Sequence, residues 1–148
     1  MLSLQNLLTF SLALAPALAI SIPRQDNGTS AMPNPDSTQT YTGQITYYNT
    51  GGGLGACGTT LSDSEAICAL SESLYDQYTQ NGNPNDNSLC GKQIQITMES
   101  GETATVTVAD RCTGCAPTDI DLTPTIFQQL VPAGLGVGRT SATWKWAS

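Results

Sequence analysis

One stretch limits the fold of this chain more than any other. Residues 106–115 read VTVADRCTGC, a run of alternating valines that ends in an aspartate and passes directly into two closely spaced cysteines. At a period of two, Val106, Val108 and Asp110 share one side of an extended strand, so the side that buries valines ends in a carboxylate. An ionised group there is costly unless it has polar partners or lines a cleft. The stretch therefore predicts a β-strand with a candidate site at its end.

Short segments rich in β-branched or alternating apolar residues and separated by Gly, Asn and Pro predict the strands, including the one just described. They cover residues 44–48, 66–70, 94–98, 104–110 and 137–146. Ser100 and Gly101 predict a hairpin turn between the third and fourth of these, and Thr123-Pro124 predicts the start of a short helix. Six or so short strands with one or two small helices indicate a compact β-rich barrel or sandwich.

The first 42 residues are expected to lie outside the folded domain. Residues 1–19 hold a short apolar run followed by Ala-Leu-Ala, the small-x-small pattern of a signal-peptidase site. Residues 20–42, rich in Pro, Ser, Thr and Asn, predict a disordered leader. Asn27 opens an Asn-Gly-Thr glycosylation sequon. We therefore expect a secreted, extracellular protein whose single domain covers residues 43–148.

Composition excludes several classes of function. The chain has no histidine, which removes Ser-His-Asp triads, Cys-His pairs and histidine-based zinc sites. A net charge of −7 supplies no cationic track for nucleic acid or for an anionic membrane surface. Beyond the N-terminal run, no segment approaches the ~20 apolar residues of a membrane-spanning helix. We expect no cofactor, no metal, no nucleic-acid or membrane partner, and a monomer.

Several motifs occur in an order that resembles a known family. They are Thr46-Tyr47-Tyr48, Gly55-Ala56-Cys57-Gly58, Cys90-Gly91-Lys92, the stretch 108–115, Ile120-Asp121-Leu122-Thr123 and Trp144-Lys145-Trp146. Over residues 43–148 the chain resembles double-psi β-barrel domains related to rare lipoprotein A, in their small secreted fungal form. It is similar to the first domain of expansins, to loosenins, to barwin and to family-45 endoglucanases. The resemblance implies a six-stranded double-psi β-barrel, mainly β, with a surface groove for cell-wall polysaccharide.

The resemblance also implies the site residues. Thr46 and Tyr48 would hold or orient a sugar, and Asp110 would bond its hydroxyls or the glycosidic oxygen. Inverting endoglucanases need a second carboxylate as base, and at the positions expected for it this chain has Asn49 and Thr50. The resemblance therefore implies a polysaccharide-binding protein, for cellulose or chitin, that loosens its ligand without hydrolysis and is not an enzyme.

Two other functions remain open from the sequence. One is weak glycan cleavage with Asp110 as the only acid. The other is a role in protein interaction, as a protease inhibitor or a secreted effector, with a loop such as residues 81–87 as the contact surface. Similar small barrels are known to act as protease inhibitors or effectors.

Three further side chains allow competing interpretations. Trp146 could stack on a sugar ring or be buried at a barrel seam, and we include it among the polysaccharide-binding candidates. Asp121 is expected to act as a structural acceptor at the N-terminus of the helix that follows Thr123. Asp119 is expected to be a solvated loop residue.

Five cysteines in an exported chain predict disulfides and one cysteine left over. A redox role for the CxxC of Cys112 and Cys115 is disfavoured because no thioredoxin-like βαβ pattern surrounds it. The expansin-like resemblance implies a Cys57–Cys90 bond, which leaves Cys112 with Cys115. Cys68, in the apolar run 66–70, is then expected to be a buried, inert thiol.

Overall fold

The computed structural model describes residues 32–147. Six strands form a closed β-barrel, and two more form a separate small sheet. The described part of the chain also contains two short α-helices and two single-turn 3-10 helices, Asp76–Tyr78 and Leu135–Val137. The strands are β1 (Tyr41–Tyr47), β2 (Ile67–Ser71), β3 (Thr79–Gln80), β4 (Asn83–Asn87), β5 (Gln93–Thr97), β6 (Thr103–Cys112), β7 (Ile120–Leu122) and β8 (Arg139–Trp146). The helices are α1 (Glu72–Tyr75) and α2 (Pro124–Leu130). The predicted fold class, a mainly β six-stranded barrel with short helices, is confirmed.

The barrel closes in the order β1-β7-β2-β6-β5-β8. β1 is parallel to β7 and β2 is parallel to β6, and the other four neighbouring pairs are antiparallel. The predicted hairpin is the β5–β6 pair, and its turn contains Gly101 at a φ of 107°. Because the parallel partners are distant in sequence, the barrel places residues of β1 beside residues of β7 that come about 75 positions later.

Alternation along the strands fills the barrel interior. In β5, Ile94 and Ile96 are buried, whereas Gln93 and Thr97 are exposed. In β8, Ala142, Trp144 and Trp146 are buried on the same side. Apolar strand faces therefore make one continuous core inside the barrel, as the period of two predicts.

Trp146 belongs to this core, and its predicted role as a sugar-stacking platform is wrong. The residue is 7% exposed and packs edge-on against Trp144, with ring centroids 5.5 Å apart and an interplanar angle of 83°. A stacking platform has to present a ring face to its ligand, and this ring faces the interior.

The first strand begins at Tyr41, two residues before the expected domain boundary at residue 43. Tyr41 is buried, its ring lies 4.8 Å from that of Trp144, and its hydroxyl accepts a hydrogen bond from the backbone N–H of Asn34 (3.0 Å). Met32 also packs against the core. Composition placed the domain boundary after Tyr41 because its neighbours are polar, yet the Tyr41 ring fills part of the barrel. The predicted signal peptide and the Asn27 sequon lie outside the described residues, so both stay predictions.

Both implied disulfides are present. Cys57 is bonded to Cys90 and Cys112 to Cys115, with Cα–Cα distances of 5.7 and 5.6 Å. Cys68 is free and buried, as expected. Burial raises the pKa of the Cys68 thiol well above its usual range, which keeps it in the unreactive protonated form.

The two helices start as their sequences indicate. Ser71 precedes α1, and its Oγ accepts a hydrogen bond from the backbone N–H of Leu74 (3.2 Å). Pro124 occupies the first turn of α2, while the Thr123 hydroxyl donates to the carbonyl of Glu65 (2.7 Å). Between residues 32 and 147, the helices are all too short or too polar to cross a membrane.

Candidate functional site

A β-bulge in β6 decides where Asp110 points. Cys68 pairs with Val108, but the next residue of β2, Ala69, pairs with Asp110, so Ala109 is an extra residue in β6. Such an insertion reverses the alternation of all later side chains. The prediction that Asp110 lies on the same side as Val106 and Val108 is therefore wrong. Asp110 lies on the outer face, half-buried, at a place where an uninterrupted strand would have turned it into the core.

The outer face carries a row of paired residues that crosses four neighbouring strands. Thr46 of β1 pairs with Asp121 of β7, Asp121 pairs with Ala69 of β2, and Ala69 pairs with Asp110 of β6. Directly paired residues point to the same side of a sheet. The two carboxylates therefore project from the same face with one strand between them, which separates their Cα atoms by roughly 10 Å at normal strand spacing.

Asp110 is held by three donors. Its Oδ1 accepts hydrogen bonds from the backbone N–H of Ala56 and of Arg111, both 2.9 Å, and its Oδ2 accepts from the Tyr48 hydroxyl at 2.9 Å. The Arg111 guanidinium points away and forms a bidentate pair with Asp76, both contacts 2.7 Å. Asp110 thus has the loop hydrogen bonds of a structural carboxylate and also a side-chain partner on the outer face.

Tyr48 reaches across the face from the end of β1. Its backbone N–H donates to the carbonyl of Leu122 (3.0 Å), which extends the β1–β7 pairing by one residue. Its hydroxyl lies against Asp110 of β6, so the side chain spans the two strands between β1 and β6. Burial, and then the charge of Asp110, raise the pKa of Tyr48 well above its usual range, so the phenol remains a neutral hydrogen-bond donor. Tyr47, by contrast, packs against Phe127 with ring centroids 5.0 Å apart, as expected of a core residue.

Asp121 belongs to this cluster, and its predicted role at the start of α2 is wrong. Its Oδ1 accepts a hydrogen bond from the Thr46 hydroxyl (2.8 Å), and the first turn of α2 contains no acidic residue. Burial raises the pKa of Asp121 above its usual range, the Thr46 hydrogen bond opposes the rise, and the charge of Asp110 adds to it. The signal that could have revealed this position is the pattern Ile120-Asp121-Leu122, in which two core residues flank a side chain on the opposite face.

Asp119 is also placed differently from the expectation of a solvated loop residue. It is 4% exposed and bonds the Arg139 guanidinium at 2.9 Å. Its carboxylate also accepts hydrogen bonds from the backbone N–H of Gln44 (2.9 Å) and of Ala116 (3.1 Å). Asp119 therefore fastens the segment before β7 to β1 and β8, and takes no part in the outer-face cluster.

One group of atoms near the cluster has the spacing of metal ligands. The sulfur atoms of Cys112 and Cys115 and a carboxylate oxygen of Asp121 lie within 4.8 Å of one another. The two sulfurs are bonded to each other, however, and a metal needs thiolates. The disulfide-bonded sulfurs beside Asp121 therefore supply no metal ligands.

The structure thus brings together the implied residues Thr46, Tyr48 and Asp110 and adds Asp121. All four are half-buried, so the cluster forms an accessible face of the barrel and not a closed seam. Two hydroxyls and two carboxylates supply both donors and acceptors, which suits a ligand rich in hydroxyl groups. A carboxyl with a raised pKa beside a carboxylate is also the arrangement from which acid–base chemistry can be built.

Sequence relatives include fungal and bacterial proteins. The chain is 44% identical over 91 residues to the protein named Allergen Asp f 7 homolog from Arthroderma benhamiae, which is 61% of this chain but only 29% of that protein. It is 36% identical over 110 residues to the papain inhibitor of Streptomyces mobaraensis, covering 73% of this chain and 72% of the inhibitor. The chain thus spans less than a third of the fungal relative but most of the bacterial one.

Solved structures agree with these relationships. The Streptomyces papain inhibitor superposes with a TM-score of 0.64 at 36% identity, covering 74% of this chain and 96% of that chain. The apo expansin of Clavibacter michiganensis superposes with a TM-score of 0.59 at 25% identity, covering 74% of this chain and 51% of that chain. The model of the Barwin family matches residues 36–145. A match across most of the chain, on a barrel shared with these structures, shows that the protein belongs to the Barwin family.

Proposed function

We propose that this protein is exported and binds cell-wall polysaccharide, cellulose or chitin, on the outer face formed by β1, β7, β2 and β6. The observation that carries the proposal is the row of Thr46, Asp121 and Asp110, with the Tyr48 hydroxyl on Asp110. The two disulfides suit an oxidising, extracellular compartment. The resemblance of the chain to expansins implies the same ligand class, and the structural likeness to the expansin of Clavibacter michiganensis agrees with that resemblance.

Several properties of the face favour a polymer over a small molecule. The site residues belong to neighbouring strands of a barrel wall, so a long chain could lie across them without having to thread into a cavity. Ala69, between the two aspartates, has the smallest side chain that a strand carries besides glycine, which leaves room for close approach. Hydroxyl groups of the sugar would exchange hydrogen bonds with Thr46, Tyr48 and the carboxylates.

We further propose that binding loosens the polysaccharide without cleaving it. Inverting hydrolysis needs one carboxyl as acid and a second that holds the attacking water. Asp121, with its raised pKa, suits the acid. Asp110 is a poor base because both its oxygens already accept hydrogen bonds, two from backbone N–H groups and one from Tyr48. Asn49 and Thr50 supply no replacement.

Retention on insoluble cellulose and chitin tests the binding proposal. Asp110→Asn and Asp121→Asn should each weaken retention roughly 10- to 100-fold, the range expected for hydrogen bonds to a charged group. Asp86→Asn, an exposed aspartate on the β4 strand outside the barrel, is the matched control and should be retained like the wild type. Absence of wild-type retention on both polymers, or equal retention of all three variants, would reject the proposal.

Product analysis tests the absence of cleavage separately. Soluble oligosaccharides and new reducing ends should not accumulate above a buffer control during long incubation. If they accumulate with the wild type and disappear with Asp121→Asn, the protein is a hydrolase with Asp121 as acid, and the non-hydrolytic proposal is wrong.

A second candidate function is inhibition of papain-like cysteine proteases. The observation that favours it is coverage: the chain matches 72% of the Streptomyces papain inhibitor in sequence and 96% of its solved chain at 36% identity. A titration of papain with the wild type against a peptide substrate tests it. Inhibition that persists in Asp110→Asn would assign the contact to a surface other than the polysaccharide face.

A further inference from the structure

Leu54 is an apolar side chain that the fold presents to solvent. It is 75% exposed, and the other large hydrophobic residue that stands out in the described chain, Val137, is 42% exposed. A single exposed leucine is ordinary on a protein surface. What sets Leu54 apart is the loop that carries it, residues 49–61, called here the Leu54 loop.

The backbone on both sides of Leu54 is fixed by hydrogen bonds within the loop. Leu54 forms an isolated antiparallel bridge with Thr60. The N–H of Gly55 donates to the carbonyl of Thr59 (2.9 Å), and the N–H of Leu61 donates to the carbonyl of Gly53 (2.8 Å). Leu61 itself is buried, so the C-terminal end of the loop is packed against the rest of the protein. The tip is thus a small closed turn and not a free segment.

The base of the Leu54 loop is attached at three further points. Cys57 is bonded to Cys90, and its backbone N–H donates to the carbonyl of the bulge residue Ala109 (3.2 Å). The N–H of Ala56 donates to Asp110, as described above. At the other end, Asp63 accepts hydrogen bonds from both the N–H and the hydroxyl of Thr50, each 2.7 Å. A loop held in this way loses little conformational entropy when it binds a partner.

The tip is also narrow and uncharged. Leu54 is flanked by Gly53 and Gly55, and Gly51 and Gly52 precede them with φ values of 62° and 70°. A Cβ atom added at Gly51 or Gly52 would meet nothing within 4 Å, so this part of the loop projects into open space. In a chain of net charge −7, residues 49–61 contain no Asp, Glu, Lys or Arg. The loop can therefore insert the Leu54 side chain into a confined apolar pocket without removing a charged group from water.

We propose that the Leu54 loop is a protease-docking element, in which Leu54 fills an apolar subsite in the active-site cleft of a papain-like cysteine protease. The proposal rests on the second candidate function and names the surface that would perform it. Enzyme clefts are concave and lined mostly by apolar groups, and anchors at protein interfaces are bulky side chains that enter such pockets. Residues 81–87, suggested by the sequence as a contact loop, have Pro84 as their largest apolar side chain and include the charged Asp86.

Inhibition of papain by three proteins tests this assignment: the wild type, Leu54→Ala and Val137→Ala. Burial of a leucine side chain predicts a Ki about 10- to 100-fold higher for Leu54→Ala. Val137→Ala also shortens an exposed aliphatic side chain and should change Ki less than about threefold. Both side chains are exposed, so thermal unfolding midpoints should match the wild type, and the comparison then reports contact and not stability.

The outcomes separate this assignment from the function on which it rests. If the wild type does not inhibit papain, the second candidate function fails and the docking element fails with it. If the wild type inhibits and Leu54→Ala inhibits equally, the function stands and the assignment of the loop is overturned. If Leu54→Ala instead loses retention on polysaccharide while papain inhibition is unchanged, Leu54 belongs to the glycan surface and the assignment is likewise overturned.

Discussion

Removal of the two disulfides should have very different costs, because the chain segments that they close differ in length. Cys57 and Cys90 are separated by 33 positions, and Cys112 and Cys115 by 3. The loop-entropy relation assigns about 3.7 kcal/mol of stabilisation to the longer closure and about 1.6 kcal/mol to the shorter one at 25 °C. The double variant Cys57→Ala/Cys90→Ala should thus lose roughly 2 kcal/mol more than Cys112→Ala/Cys115→Ala.

Equilibrium unfolding in urea, followed by tryptophan fluorescence, measures this difference. Trp144 and Trp146 lie in the barrel core, so the signal reports the whole barrel. The Cys57–Cys90 disulfide also contacts Tyr75, whose hydroxyl lies 3.4 Å from the Cys57 sulfur and 3.2 Å from the Cys90 sulfur. Removal of this bond therefore also loses packing, which adds to the entropic cost.

Equal losses in the two double variants, or a larger loss for the Cys112–Cys115 pair, would refute the reasoning. The stabilisation would then not come from restriction of the unfolded chain. Wild type treated with a reductant under native conditions provides a further control, since it removes the bonds without changing the sequence.

Four further predictions follow from the contacts of the site and the core. The pKa of Asp121 is raised in the folded protein, so folding is favoured while Asp121 is protonated. This stabilisation is lost as the pH rises from about 4 through the folded pKa. Urea unfolding of Asp121→Asn should therefore show a weaker fall in the free energy of unfolding with rising pH than the wild type. Thr46→Val removes the hydroxyl that opposes the shift, so an NMR titration should show the pKa of Asp121 higher still, and an unchanged value would contradict the hydrogen bond. Gly55→Ala would place a Cβ in steric overlap with the carbonyl oxygen of Ala109, and the overpacking should cost about 1–3 kcal/mol in urea unfolding. The Cys68 thiol should react with a thiol reagent only after denaturation, at one thiol per chain, and rapid labelling of the native protein would show that the thiol is not buried.

Alternation and turn residues predict much of the fold. The strands around Ile94, Val106 and Trp144 follow directly from a period of two, and the Ser100-Gly101 turn joins β5 to β6 as expected. These features depend on residues that are close in sequence, for which local patterns are informative. The resemblance, and not the pattern, supplied the disulfide pairing and the grouping of Thr46, Tyr48 and Asp110.

Asp121 and the bulge at Ala109 could not be predicted in the same way. The neighbours of Asp121 depend on the parallel register of β1 and β7, whose paired residues are 75 positions apart. Nothing in the residue type of Ala109 marks it as an insertion, since the bulge is a difference in count between β6 and its partner β2. Asp119 and Trp146 illustrate a related limit, because a polar residue can be buried by an ion pair, and an aromatic residue near the end of a strand can be buried or exposed.

The bulge at Ala109 means that the site depends on how many residues precede it as much as on which ones they are. An in-frame deletion of the Ala109 codon would leave every residue of the cluster encoded, and yet it would turn the Asp110 side chain towards the apolar core of the barrel. Homologues in which this strand is one residue shorter would therefore be expected to have lost the cluster, however well their aligned letters agree.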